Sequence, residues 1–154
     1  MDNVYLKIGE IIKIVQYIEY NLAELIEYKQ ILNLFESKST VSNEVFERTE
    51  KKAKKLREKL STSTLGNVIG FVKKYNIFSL NELKNLEDIL GKRNDLVHQY
   101  FKRKDFEKQS DNVRFIQIEA NYLKNFLRKA DSFNDNLCEL LEEYEAEYDM
   151  IEDS

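Results

Sequence analysis

Proline is absent from this chain of 154 residues, and glycine occurs only four times. These two residues form most tight turns, and proline also interrupts helices. Long stretches of the chain therefore contain nothing that would stop a helix. The hydrophobic content of 42% is enough for one domain with a single modest core. The composition predicts an almost entirely helical, single-domain protein.

Apolar residues recur at three- and four-residue spacing along the first half of the chain. The longest such run covers residues 4–35 and predicts a long amphipathic helix. The stretch "SKSTVSN", residues 37–43, is rich in capping residues and predicts the first break, followed by a second helix that ends near Leu60. The stretch "STST", residues 61–64, can cap a third helix.

Two further helices are predicted in the second half. Ser79 and Glu82 have the spacing of a capping box, so a fourth helix begins near Ser79 and runs to about Arg103. Helical spacing resumes at Val113, although the alternation in "VRFIQI", residues 113–118, leaves a short strand open as an alternative. Together these segments predict an all-α, antiparallel bundle of about five helices.

Acidic residues are concentrated at the end of the chain. From Glu139 onward there are eight acidic residues and no basic ones, so residues 1–138 carry a net charge of +4 although the whole chain carries -4. We therefore predict a helical domain of residues 1–141 and an acidic tail of residues 142–154, a kind of segment that often frays or is disordered. The basic run at residues 51–59 indicates a solvated face or, alternatively, a phosphate-binding surface.

The sequence also predicts where the protein works and what it does not bind. No segment resembles a signal peptide or a membrane span, so we expect a cytoplasmic protein with no membrane partner. The chain has one cysteine, Cys138, and one histidine, His98, which cannot build a zinc site on their own. We predict neither a metal ion nor a cofactor.

The only histidine lies in "GKRNDLVHQYF", residues 91–101. Arg93 and Asn94 interrupt an apolar stripe on the fourth helix. On a regular helix Asn94 and His98 share one face, whereas Arg93 lies about 140° away from His98. One interpretation is a hydrogen-bonded core histidine with an ion-paired arginine; the other is a reaction centre that two copies of the helix complete across a twofold axis. The predicted stripe consists of Leu83, Leu86, Leu90, Val97 and Phe101.

The segment "RNDLVHQY" resembles the signature of the HEPN superfamily, in which an arginine followed by a polar residue precedes a histidine by four to six residues. It is similar to the longer RxxxxHxY form of HEPN toxins that are paired with nucleotidyltransferase antitoxins. The motif covers eight residues, and the helical layout agrees over most of the chain. The resemblance implies a metal-independent endoribonuclease, a toxin or phage-defence effector, with an active site shared across a homodimer. The long first helix and the acidic tail depart from the smallest toxins and leave the subfamily open.

The motif residues suit RNA cleavage by the 2'-hydroxyl group, which needs a base, an acid and positive charge near the phosphate. His98 can act as base or acid, because an unperturbed histidine titrates at about pH 6.5. Arg93 would bind the phosphate through its planar guanidinium, and Asn94 would orient the phosphate or the His98 ring. The predicted RNA-binding cations are Lys92, Lys102, Arg103 and Lys104, together with the basic run at residues 51–59 if it folds nearby.

Tyr100 lies two positions after His98, about 200° around a regular helix. In the toxins that the motif resembles, the equivalent tyrosine is nucleotidylated by the antitoxin, which implies a regulatory site here and a nucleotidyltransferase-type partner. The alternative is a packed aromatic residue. At the level of the whole protein, the rival functions are a non-catalytic HEPN-like module that binds a nucleotide, RNA or a protein, and a purely structural bundle.

Overall fold

The computed structural model describes residues 1–37 and 40–152, and within these residues it contains seven helices and no strand. The all-α prediction is therefore confirmed. None of the helices described here has both the length and the apolar content needed to cross a bilayer. The helices are α1 (Asp2–Ser37), α2 (Asn43–Leu60), α3 (Leu65–Lys74), α4 (Leu80–His98), α5 (Tyr100–Lys104), α6 (Phe106–Gln109) and α7 (Val113–Glu152).

Three helices begin at the capping residues that the sequence predicts. The side-chain oxygens of Ser42, Thr64 and Ser79 each accept a hydrogen bond from the backbone amide three residues later. The Ser79 hydroxyl also donates to the Glu82 carboxylate at 2.9 Å. The predicted first break lies between α1 and α2, although its residues 38 and 39 lie outside the described part of the chain.

The two longest helices, α1 and α7, form the centre of the bundle and run parallel to each other. Asn21 Nδ2 donates to Asn134 Oδ1 at 2.7 Å, and further along both helices the Tyr28 and Tyr148 rings meet at 5.6 Å. A continuous apolar face of α1 is buried from Val4 to Leu32. The predicted long first helix therefore supplies one side of the core over nearly its whole length.

The remaining long helices run antiparallel to this pair. The end of α1 meets the start of α2, where the Phe35 and Phe46 rings lie 5.7 Å apart. The start of α1 meets α5, where the Tyr5 and Phe101 rings lie 5.8 Å apart. As a result α2 and α4 return along α1.

The predicted fourth helix is interrupted directly after the histidine. Gln99 has φ -132° and ψ -20°, so α4 ends at His98 instead of continuing to Arg103. The short helices α5 and α6 follow, separated by Asp105 in the left-handed conformation. This break adds α5 to the predicted five helices, and α6 forms within the segment predicted as a polar connection.

The sequence left two alternatives open for α7, a strand at its start and fraying at its end, and the structure has helix in both places. Residues 113–118 form the first turns of α7, so the alternative of a strand is excluded. Residues 142–152 continue the same helix instead of fraying: Tyr144 is buried, and the Tyr148 hydroxyl donates to Glu50 Oε2 at 2.6 Å. Apolar and aromatic side chains spaced between the acidic residues hold this part of the tail against the bundle. Residues 153 and 154 of the predicted tail lie outside the described residues.

Candidate functional site

The buried stripe of α4 passes through an arginine. Leu86 and Ile89 are completely buried, and Leu96 and Tyr100 continue the same face. Steps of three and four residues place Arg93 between Ile89 and Leu96 on this face. Arg93 is half-buried as a result, because its guanidinium has to leave an otherwise apolar seam.

The C-terminal half of this buried stripe differs from the stripe that the sequence predicts. Val97 and Phe101, expected in the core, are 46% and 40% exposed. Leu96 and Tyr100 take their places, one residue earlier in each case. An amphipathic pattern with apolar residues at neighbouring positions does not by itself determine which of them faces inward, and packing against α1 and α7 decides the orientation.

The Arg93 guanidinium lies at the junction of α4 and α1. Its Nη1 donates to Asn94 Oδ1 at 3.2 Å. It also acts on Glu19 of α1: burial raises the pKa of the Glu19 carboxyl above its ordinary value, and the positive charge of Arg93 partly offsets this. Arg93 is therefore hydrogen-bonded on α4 and lies close enough to α1 to act electrostatically on Glu19.

His98 is exposed at the last position of α4. In the part of the chain that the structure describes, its ring makes no hydrogen bond, ion pair or ring contact. The interpretation of His98 as a hydrogen-bonded core histidine is therefore wrong. Asn94, one turn earlier on the same face, is also exposed.

The three predicted catalytic residues form a strip around α4. Arg93 is hydrogen-bonded to Asn94, and Asn94 precedes His98 by one turn. Helix geometry keeps Arg93 about 140° from His98 around the axis. Within one chain the three residues are therefore neighbours on α4, but their side chains do not converge on one point.

Most of the predicted RNA-binding cations are already paired. The ion pairs are Lys92 with Asp88 at 3.1 Å, Arg103 with Asp95 at 2.7 Å, and Lys104 with Glu119 at 3.0 Å. Only Lys102 has no ion pair with any residue described here. The flanking charges therefore make a weaker anion-binding surface than their number in the sequence suggests.

The basic run at residues 51–59 belongs to a different part of the molecule. Its helix, α2, packs along α1, and Arg57 is held there by Glu24 at 3.3 Å and Glu27 at 3.2 Å. The main packing partners of α4 are α1, α3, α5 and α7. The proximity that would join this run to the motif is therefore not found.

Tyr100, the first residue of α5, is completely buried. Its hydroxyl donates a hydrogen bond to Glu119 Oε2, and burial together with this bond raises the pKa of the phenol far above its ordinary value. A neutral, enclosed hydroxyl does not fit the predicted modification site in this conformation. The structure agrees instead with the alternative prediction, in which Tyr100 is a packed aromatic residue.

Glu119 is a site residue that the sequence analysis missed. It is 3% exposed, and it is the only charged residue buried to this extent in residues 1–37 and 40–152. A signal was present in the sequence: Glu119 lies four residues before Leu123, in line with the buried stripe that continues to Phe126. A charged residue at such a position indicates a buried polar partner.

Comparisons with protein-family models, with curated proteins and with solved structures found no match to this chain. Across the described residues, no three side chains of the metal-binding types are grouped together. The interpretation of the site therefore depends on the geometry of Arg93, Asn94 and His98 and on the charges around them.

Proposed function

We propose that this protein is a metal-independent endoribonuclease of the HEPN type, acting as a toxin or phage-defence effector, with a site that two copies of the chain share. The observation that carries the proposal is the position of His98. It is exposed and unpartnered among the described residues, and it lies one turn from Asn94, which is bound to the only arginine in a buried apolar seam. A structural histidine would be enclosed and hydrogen-bonded.

The chemistry follows from these groups. The imidazole of one His98 removes the proton of the RNA 2'-hydroxyl, and the resulting oxygen attacks the adjacent phosphorus. The bond from phosphorus to the 5'-oxygen breaks, and the imidazolium of the second copy's His98 protonates that oxygen. Arg93 stabilises the charge on the non-bridging oxygens. The products are a 2',3'-cyclic phosphate and a 5'-hydroxyl.

The outer face of α4 has room for a second copy of the helix. Gly91 lies seven residues before His98, two turns earlier on the same face, and a methyl group added at Gly91 would meet nothing within 4 Å. Antiparallel copies of α4 related by a twofold axis beside residues 95 and 96, midway between Arg93 and His98, would place Arg93 of each chain level with His98 of the other. This supports a homodimer as the active form.

The rival function is a non-catalytic HEPN-like module that binds a nucleotide, RNA or a protein. The neutralisation of Lys92, Arg103 and Lys104 within the chain favours it, because a nuclease benefits from free cations beside its site. The rival predicts binding without turnover. Regulation by a nucleotidyltransferase-type antitoxin at Tyr100 remains part of the leading proposal, and it requires α5 to move away from α7.

Cleavage of mixed structured RNAs in EDTA tests the proposal. We expect the wild-type protein to produce 2',3'-cyclic phosphate ends and His98→Ala to produce none. Arg93→Lys retains the charge but not the planar fork, so we expect a large loss of activity there too. Asn81→Ala, an exposed change elsewhere on α4, is the matched control. Circular dichroism of each variant checks the fold, and full activity in His98→Ala would refute the proposal.

A further inference from the structure

A cavity of about 530 Å³ opens between the start of α1 and the short helices α5 and α6. Its aromatic wall contains Tyr5 of α1 and Phe101 of α5, whose rings stack at 5.8 Å with an angle of 24° between their planes. Phe106 closes the wall, with its ring edge-on to Phe101 at 5.0 Å. Tyr5 is 50% exposed and Phe101 is 40% exposed, so part of the aromatic surface stays open to a ligand. The other lining residues are Lys102, Asp105 and Glu107.

Two charged side chains of this cavity are available to a ligand. Lys102 and Glu107 are both exposed, and neither side chain makes an ion pair or hydrogen bond within the described parts of the chain. Asp105, in contrast, forms an ion pair in which its Oδ2 lies 3.6 Å from Lys108 Nζ. Lys102 is also the one unpaired cation among the four that flank the motif. The cavity thus combines an open aromatic surface with one free positive and one free negative charge.

We propose that this cavity binds an unpaired guanine base of an RNA strand. Flat bases stack on exposed aromatic rings, here those of Tyr5 and Phe101. Lys102 would hold the adjoining phosphate. The Glu107 carboxylate has two acceptor oxygens, and guanine presents two adjacent donors on its Watson–Crick edge, N1–H and the N2 amino group. Adenine, cytosine and uracil each place an acceptor beside their donor at that edge, so the carboxylate selects guanine.

This inference depends on the proposed function for the nature of its ligand, which is RNA. Lys102 follows His98 by four residues in the chain and belongs to α5, the helix that begins two residues after His98. A base held there would select the phosphate presented to His98. A second copy of the chain is the competing occupant of the aromatic surface, but protein interfaces are depleted in lysine and glutamate, and both residue types line this cavity.

Binding of short RNAs to the His98→Ala protein tests the inference without turnover. The probes are fluorescein-labelled pentauridylates with guanosine, inosine or uridine at the centre, followed by fluorescence anisotropy. We expect guanosine to bind about tenfold more tightly than uridine, and inosine, which lacks the N2 amino group, to fall between them. Tyr5→Leu should weaken binding of the guanosine probe about tenfold.

Substitutions of the two charged residues should change probe binding in different ways in the same assay. Glu107→Ala should remove the preference for guanosine and leave the uridine probe nearly unaffected. Lys102→Gln should weaken all three probes by a similar factor and reduce the dependence on salt. Tyr17→Leu, equally exposed on α1, and Lys124→Gln, exposed on α7, are the matched controls outside the cavity.

Two results would overturn the inference. The first is equal affinity of the guanosine and uridine probes, or an unchanged affinity in Tyr5→Leu. The second is a Tyr5→Leu protein that changes from dimer to monomer in sedimentation while its affinity for the probes stays the same, which would make the cavity an interface between copies. Cleavage in EDTA separates the two proposals: an active nuclease with no base preference refutes only the guanine site, whereas selective binding without cleavage refutes only the nuclease.

Discussion

The Tyr100 hydroxyl donates a hydrogen bond to Glu119 Oε2 at 2.5 Å, and both side chains are buried. Lys104 Nζ lies 3.0 Å from the other oxygen of the same carboxylate. The three residues join α5, which follows His98 directly, to the first turns of α7. The motif tyrosine thus holds the end of α4 in place beside the exposed histidine.

Removing the Tyr100 hydroxyl should destabilise the protein. We expect Tyr100→Phe to lower the free energy of unfolding by about 1–3 kcal/mol, because Glu119 remains buried with one partner fewer. Urea denaturation followed by circular dichroism measures the difference. Tyr17→Phe, at a half-exposed position, should change stability little. Equal stability of the two variants would show that the buried bond contributes nothing measurable.

Burial should also protect Tyr100 from chemical modification. In the native protein we expect a tyrosine-selective acetylating reagent to modify Tyr5 and Tyr17, which are about half exposed, and to leave Tyr100 intact until denaturant is added. Peptide mass mapping locates the modified rings. Native-state modification of Tyr100 at the rate of Tyr17 would show that α5 opens readily, and would restore an accessible site for an antitoxin.

The pH dependence of stability should contain a contribution from Glu19. Burial raises its pKa in the folded protein, and Arg93 offsets the rise only in part. A raised folded pKa contributes stability that is complete below the unfolded pKa and is lost as the pH rises through the folded pKa. We therefore expect Glu19→Gln to raise the melting temperature at pH 7 relative to the wild type, and the difference to disappear near about pH 4. Glu10→Gln, exposed on α1, should show no such trend.

Releasing a paired cation should strengthen RNA binding. Asp95 neutralises Arg103 at 2.7 Å, so Asp95→Asn frees the guanidinium next to the proposed site. If RNA is the ligand, we expect tighter binding at low salt and a slope of log affinity against log salt that is steeper by about one. Asp131→Asn makes the same change in net charge at an exposed position on α7 and serves as the control. An identical salt slope in both variants would exclude Arg103 from the RNA path.

The acidic tail should contribute to stability through packing. Truncation after Leu141 removes the buried Tyr144 and the contact of Tyr148 with Glu50, and we expect a loss of roughly 3 kcal/mol or more. Thermal unfolding of the chain with residues 1–141 provides the comparison. The double change of Glu142 and Glu147 to glutamine removes charge without removing packing, and should have a much smaller effect. A truncated chain as stable as the whole one would contradict the packed tail.

The sequence predicted the starts of three helices correctly, but it predicted less well which side of a helix faces the core. Ser42, Thr64 and Ser79 cap helices as predicted, because a cap involves only residues three positions apart. The end of α4 at His98 was missed, since neither glycine nor proline marks it. Val97 and Phe101 were assigned to the core when Leu96 and Tyr100 occupy it, because both pairs satisfy helical spacing.

The sequence by itself determined the helical class, the starts of three helices and the presence of a polar interruption at Arg93 and Asn94. Each of these depends on residues within about two helical turns. Only the tertiary structure decided that His98 faces solvent, that Glu119 binds Tyr100 and Lys104, and that three of the four flanking cations are neutralised. These outcomes depend on which faces of separate helices meet and, for Glu119, on the energetic need to pair a charge that packing removes from water.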